Sequence, residues 1–143
     1  VVGIETDQSL IDVAIINKYI ADNELDASPA AEGLYVVIDD PGVGQNPTIN
    51  STVRVKYDGK FVELNAQNKL VEGSSFDVSS EEGATFPLAN VIRGWQLGIP
   101  LFKTGGSGKL IIPSELAYGP SGNGSIPPNS VLVFDVELKE VVS

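Results

Sequence analysis

The pattern of hydrophobic and polar positions divides the chain into a helical beginning and a β-rich remainder. Apolar residues recur at helical spacing from Leu10 to Ile20, which predicts a helix over about Gln8 to Asn23. Ser9, with Asp12 three positions later, fits a capping box at its start. The stretch Ala27-Ser28-Pro29 ends the pattern. We expect this helix to pack on the main domain, with a dimerisation or spacer role as the alternative.

From Leu34 onward the pattern is typical of β-strands. Apolar or alternating runs predict four of them, at 34–38, 52–57, 109–112 and 131–138. The first run ends at a strong turn signal, Asp39-Asp40-Pro41-Gly42. Because the strands lack the regular helical crossovers of βαβ units, an antiparallel or mixed sheet of the α+β class is favoured.

One short segment between the strands has helical character, from Asn90 to Gly98. Asn90 is a candidate N-cap residue. Two glycines and the following Pro100 make this helix weak in isolation. We therefore expect its apolar side chains, among them Trp95, to be covered by the sheet.

Composition restricts the chemistry. The 143 residues suit one compact domain, and they include no Cys and no His, which excludes disulfides, thiol nucleophiles, zinc sites built from Cys or His, and Ser-His-Asp triads. The net charge of −10 argues against nucleic acid as a partner. No apolar run approaches the roughly 20 residues that span a bilayer, so we expect a soluble chain. The chain also has no Met, from which we expect that a leader or upstream segment has been removed.

Several of the few aromatic residues stand beside turn signals. Tyr57 precedes Asp58-Gly59, Phe76 precedes Asp77, and Tyr118 precedes Gly119. Each ring taken singly suits a core position. Together they predict a pocket lined by rings, with a carboxylate and a phenol as its polar groups, which is the form expected for a small apolar ligand.

Five motifs occur in a characteristic order. They are Val53-x-Val55-x-Tyr57-x-Gly59, Gly73-x-x-Phe76-Asp77-x-Ser79, Phe86-x-Leu88-x-x-Val91-Ile92-x-Gly94-Trp95-x-x-Gly98, Ile112-Pro113-x-x-Leu116-Ala117-Tyr118-Gly119, and Ile126-Pro127-Pro128-Asn129 with Leu132-x-Phe134-Asp135-Val136-Glu137-Leu138. In this order they resemble the FKBP-type peptidyl-prolyl cis-trans isomerases. The absence of Met and the helix before this region resemble exported bacterial members of the family, whose leader is removed. The resemblance covers about Gly33 to Val142.

The resemblance implies a fold: an antiparallel five- to six-stranded sheet wrapped around one short helix. The predicted first helix would be an extra N-terminal element. We therefore expect a helical extension at residues 1–32 and an isomerase domain at residues 33–143. Between Phe61 and Glu72 the chain is longer than the family pattern, so we expect an extended hairpin or a bulge at the pocket rim.

The resemblance also implies residue roles. Asp77 and Tyr118 would be the catalytic polar groups, with the Tyr118 hydroxyl offered to a substrate carbonyl. Trp95 would be the pocket floor. The remaining substrate-binding residues would be Tyr57, Phe76, Phe86, Val91, Ile92, Ile126 and Phe134. Neither a metal nor a cofactor is implied.

The implied activity is cis–trans isomerisation of X-Pro bonds in proline-containing polypeptide clients, with macrolide inhibitors of the family as further ligands. A non-catalytic peptide-binding module or holdase chaperone is the alternative. We expect a monomer. The predicted location is the periplasm, or the outer membrane as an anchored lipoprotein without its leader, and the cytoplasm is the alternative.

Overall fold

The computed structural model describes residues 7–122, 124 and 126–142. Within them it has two α-helices, α1 (Asp7–Asp22) and α2 (Arg93–Gly98), and seven strands. The strands are β1 (Ser28–Pro29), β2 (Tyr35–Asp40), β3 (Thr52–Leu64), β4 (Leu70–Val78), β5 (Ala84–Pro87), β6 (Ser107–Ile112) and β7 (Leu132–Val141). Among the described residues, no helix has the length and hydropathy that a bilayer crossing requires.

All strand pairs are antiparallel, in the order β1-β2-β6-β7-β3-β4, with β5 paired to the first part of β3. The predicted fold class is confirmed: an antiparallel sheet with one short helix against it and an additional N-terminal helix. The sheet reaches seven strands because the two-residue β1 adds to its edge beside β2.

Alternation along the two central strands produces two cores. Leu110 on β6 and Phe134 on β7 belong to the larger core, which also contains Trp95 of α2. Ile111 and Val133, the next residues along each strand, belong to a smaller core with Ile16 and Tyr19 of α1. Since successive side chains of a strand point to opposite faces, the sheet is covered by α2 on one face and by α1 on the other.

The predicted first helix is present, but the capping box is wrong. Because α1 begins at Asp7, Ser9 lies inside the helix. Asp12 is only 1% exposed and accepts hydrogen bonds from Ser114 instead. The physical reason is its position one turn before Ile16, on the face of α1 that the sheet covers.

The longer segment between Phe61 and Glu72 extends the β3–β4 hairpin. Of the two alternatives expected from the sequence, an extended hairpin or a bulge at the pocket rim, the structure shows the first. Pairing continues to Leu64 opposite Leu70. The end of α1 holds the tip of this hairpin: the Leu70 N–H donates to Asp22 Oδ2 (2.8 Å), and Asn23 Nδ2 donates to the Leu70 carbonyl (2.8 Å).

The short helix is shorter than predicted. Asn90 ends a separate 3-10 turn, Leu88–Asn90, and α2 begins only after Ile92, so Asn90 is not its N-cap. The glycines that weaken α2 also allow it to lie close to β6. A Cβ atom at Gly94 would lie 2.7 Å from the Ile112 side chain, and one at Gly98 would lie 2.5 Å from Leu110.

Candidate active site

A cavity of about 300 Å³ lies between α2 and the sheet. Its lining comes from five strands and helices and from the turns beside them: Tyr57, Asp77, Phe86, Asn90, Val91, Ile92, Trp95, Tyr118 and Phe134. Five of these nine side chains are aromatic, so the cavity presents rings on most sides. Such a surface suits a compact apolar group.

Trp95 is the central ring of this cavity. Its indole meets the rings of Tyr57, Phe86 and Phe134 edge to face, with centroid distances of 5.2, 5.5 and 5.4 Å. Edge-to-face contacts of this kind stabilise aromatic pairs and fix their orientation. The indole is 4% exposed, and its buried Nε1 has no hydrogen-bond partner among the described residues. The base of the cavity is therefore a buried indole in contact with three neighbouring rings.

A phenol and a carboxylate form the polar edge of the cavity. The Tyr57 hydroxyl donates to Asp77 Oδ2 at 3.1 Å. Burial and this hydrogen bond raise the pKa of Tyr57 to about 12, so the phenol stays protonated at neutral pH. Asp77 is exposed and is the one acidic side chain among the described lining residues.

Tyr118 stands at the end of a tightly hydrogen-bonded turn. It follows the 3-10 turn Ser114–Leu116, and its own carbonyl accepts the Gly122 N–H at 3.1 Å. The next carbonyl, of Gly119, accepts the Asn129 N–H at 2.8 Å. Because Gly119 has a φ of +57°, it takes a conformation that favours glycine. The backbone on both sides of Tyr118 is thus held in place.

The structure brings all but two of the predicted site residues into this lining. Phe76 lies outside it and packs edge to face against Phe134, with centroids 5.5 Å apart, and against Phe61 at 5.1 Å. Ile126 is 6% exposed and belongs to the larger core. Asn90 was missed as a lining residue, because an exposed polar residue before a short helix gives no pattern that marks it.

The arrangement offers binding rather than covalent chemistry. No group of three or more metal-ligating side chains occurs in the described part of the chain. The lining contains no Cys or His, and its polar side chains are two phenols, one carboxylate and one amide. These groups can hold an apolar ring and hydrogen bond to a neighbouring amide.

Comparison with known proteins identifies the family to which the chain belongs. The family model described as FKBP-type peptidyl-prolyl cis-trans isomerase matches residues 44–139. The isomerase FkpA of Escherichia coli K12 is 43% identical over 114 residues, which are 78% of this chain and 39% of the relative. The isomerase Mip of Coxiella burnetii is 40% identical over 114 residues, covering 78% and 46%. The chain spans less than half the length of these curated relatives.

Solved structures show the same fold. A crystal structure of a peptidyl-prolyl cis-trans isomerase from Pseudomonas syringae pv. tomato has a TM-score of 0.73 and 29% identity, with 99% of this chain and all of that chain covered. The crystal structure of FkpA from Escherichia coli has a TM-score of 0.71 and 35% identity, covering 94% of this chain and 63% of that one.

Proposed function

We propose that this chain, which belongs to the family of FKBP-type peptidyl-prolyl cis-trans isomerases, accelerates the cis–trans isomerisation of X-Pro bonds in polypeptides. The observation that carries the proposal is the ring-lined cavity with Trp95 at its base and Asp77 at its edge. Residues 33–143 would be the isomerase domain and residues 1–32 an extension, in keeping with the family match at 44–139.

The reaction needs no bond to break. Rotation about a peptide bond meets a barrier of about 18–20 kcal/mol, because the C–N bond has partial double-bond character. The two isomers of an X-Pro bond differ by only about 0.5–1 kcal/mol, yet they exchange over tens to hundreds of seconds. A site that binds the twisted amide more tightly than either planar form lowers the barrier. Each tenfold gain in rate needs about 1.4 kcal/mol of such selective binding.

The cavity supports a division of roles. The proline ring would lie on Trp95, between the side chains of Tyr57, Phe86, Val91, Ile92 and Phe134. A twisted amide has less charge separation than a planar one, so dry aromatic walls penalise it less. The Tyr118 hydroxyl would donate to the substrate carbonyl, and Asp77 would act at the polar edge. We keep Phe76 and Ile126 in the binding set because both pack in the core that contains Phe134.

A pair of hydroxyl deletions tests the proposal. The wild-type protein should accelerate a proline-limited refolding reaction and the isomerisation of a short X-Pro peptide followed without a protease. Tyr118→Phe should lower kcat/KM about tenfold, since about 1.4 kcal/mol of transition-state binding is lost. Tyr35→Phe is the matched control: it also removes one hydroxyl, but Tyr35 packs in the smaller core and should leave kcat/KM unchanged.

Two results would overturn the assignment. If the wild-type protein leaves the slow refolding phase unchanged but suppresses aggregation, the chain is a holdase rather than an isomerase. If the wild type is active and both hydroxyl deletions have equal effects, the role given to Tyr118 is wrong.

The same proposal extends to ligands and location. Macrolide inhibitors of the family should enter the cavity and change the fluorescence of Trp95, the single tryptophan. We propose a monomer, because α1 buries Ile16 and Tyr19 against its own sheet, and sedimentation velocity should give one species near 15.1 kDa. We propose a periplasmic or envelope location, supported by the similarity to FkpA and Mip. Recovery of the native protein only from the cytoplasmic fraction would contradict it.

A further inference from the structure

Helix α1 is joined to the catalytic side of the domain by one buried side chain. Asp12 and Ser114 are each 1% exposed, although 102 residues separate them. Asp12 Oδ2 accepts the Ser114 N–H at 2.9 Å and the Ser114 hydroxyl at 2.5 Å, while Oδ1 accepts Gln8 Nε2 at 2.7 Å. A carboxylate with this many donors has its buried charge compensated.

Ser114 begins the turn that leads to Tyr118. Its carbonyl accepts the Ala117 N–H at 3.0 Å, and the Leu116 N–H donates to the Pro113 carbonyl at 3.0 Å. Tyr118 is the next residue, and its side chain lines the cavity. Asp12 therefore binds Ser114, the first residue of the turn 114–117. The hydrogen bond that closes this turn is donated by the N–H of Ala117, the residue directly before Tyr118.

The packing of α1 on the sheet does not by itself explain why the buried residue at position 12 is acidic. Ile16 and Tyr19 already anchor the helix, each 1% exposed in the smaller core, and Asp22 binds the hairpin at the other end. An acidic group is a costly choice for a buried contact, because its charge loses hydration. Short, charge-assisted hydrogen bonds provide instead a defined geometry for the backbone that they bind.

We infer that Asp12 is a positioning residue: through Ser114 it fixes the turn that presents Tyr118 to the cavity, so α1 is a working part of the isomerase. The inference rests on the proposed function, because it concerns the orientation of a proposed catalytic group. Asp12, a residue of the N-terminal extension, would thus contribute to catalysis by positioning Tyr118.

The kinetic test compares carboxylates on one helix. Asp12→Ala should lower kcat/KM about fivefold, mainly through kcat, because Tyr118 loses its fixed position. Asp22→Ala is the matched control, since its carboxylate binds Leu70 at the hairpin tip and should leave kcat/KM unchanged. In a Tyr118→Phe background, Asp12→Ala should cause almost no further loss, because the hydroxyl that it positions is already gone.

A milder change keeps the test usable if Asp12→Ala does not fold. Ser114→Ala removes the hydroxyl contact but keeps the backbone one, and it should lower kcat/KM about twofold. Equal losses of kcat/KM from Asp12→Ala with and without the Tyr118 hydroxyl would overturn the inference. So would a lowered Tm with unchanged kcat/KM.

Hydrogen exchange separates this inference from the proposed function. The amide of Ala117 should lose protection in Asp12→Ala and keep it in Asp22→Ala, whether or not the protein is an isomerase. An inactive wild type with this exchange pattern would refute the proposed function and retain the positioning of Tyr118. Unchanged protection of Ala117 in Asp12→Ala would refute the positioning, even in an active enzyme.

Discussion

The two faces of the central strands β6 and β7 differ in composition and in use. On the α2 face, Leu110 and Phe134 lead to the ring-lined cavity. On the α1 face, Ile111 and Val133 pack under Ile16 and Tyr19 in the smaller core. The strands thus supply the wall of a cavity on one side and a surface covered by α1 on the other.

Beyond the smaller core, the α1 face carries an ionic cluster. Lys109 Nζ donates to Glu72 Oε1 at 2.7 Å and to Asp135 Oδ1 at 2.6 Å. Burial would lower the pKa of Lys109, but the hydrogen bonds to both carboxylates outweigh it and hold that pKa above its ordinary value. The ionic cluster and the ring-lined cavity therefore lie on opposite faces of these strands, and Asp77 is the one acidic side chain among the described lining residues of the cavity.

The largest expected effect comes from truncating neighbouring residues on β7. Phe134→Ala should destabilise the fold by about 3–5 kcal/mol and nearly abolish catalysis, because Phe134 contacts both Trp95 and Phe76. Val133→Ala, one residue away on the other face, should cost about 2 kcal/mol and leave kcat/KM of the folded protein unchanged. Urea unfolding and peptide kinetics measure the two quantities separately. A matching loss of kcat/KM in Val133→Ala would show that the two faces are functionally coupled.

A smaller effect is expected from the ionic cluster. Lys109→Met should destabilise the fold by about 2 kcal/mol, because the partly buried carboxylates of Glu72 and Asp135 lose the nearer of two cations that they share and keep only Lys60, at 3.9 and 3.3 Å. The control Lys56→Met removes a lysine whose ion-pair partner among the described residues is the highly exposed Glu81, so it should leave the urea midpoint almost unchanged. Urea midpoints at low and high salt measure both effects. Equal losses of stability in the two variants would show that the ionic cluster contributes no more than an exposed surface ion pair.

The smallest effect is a change in the titration of Tyr57. The folded-state pKa of about 12 exceeds the unfolded value of about 10, so its stabilising contribution is present below pH 10 and is lost as the pH rises through 12. Asp77→Asn should lower this pKa while leaving it above 10, because burial is the larger cause. The pKa of Tyr57 is measured from the absorbance of tyrosinate as a function of pH, after subtraction of the titration curve of Tyr57→Phe. An unchanged pKa in Asp77→Asn would show that the carboxylate does not interact with the phenol.

Much of the fold could be predicted where the pattern of side chains is regular. Strict alternation around Val53 and Val55 marks a strand with one buried face, and both residues are fully buried. The same holds for β7, where Leu132, Phe134 and Val136 face the larger core. The apolar stripe of α1 likewise predicted its helix, because Ile16 and Tyr19 lie on one side of it.

The strands β4 and β5 could not be predicted in this way. Gly73 and two serines interrupt the pattern of β4, and its register shifts twice against β3. An edge strand with such irregularities buries few side chains, so hydrophobic periodicity gives little signal there. Asp12 was misassigned for a related reason: a local capping rule competed with a contact to Ser114 that no short-range pattern contains.

The contact between Asp12 and Ser114 also has a consequence for the order of folding. During synthesis α1 leaves the ribosome before its docking partners Ile111 and Val133, which are made about a hundred residues later. Contacts of such long sequence separation form slowly, because the intervening chain must first be closed into a loop. Helix α1 is therefore complete, with its apolar face still uncovered, well before β7, the last strand among the described residues, has been made.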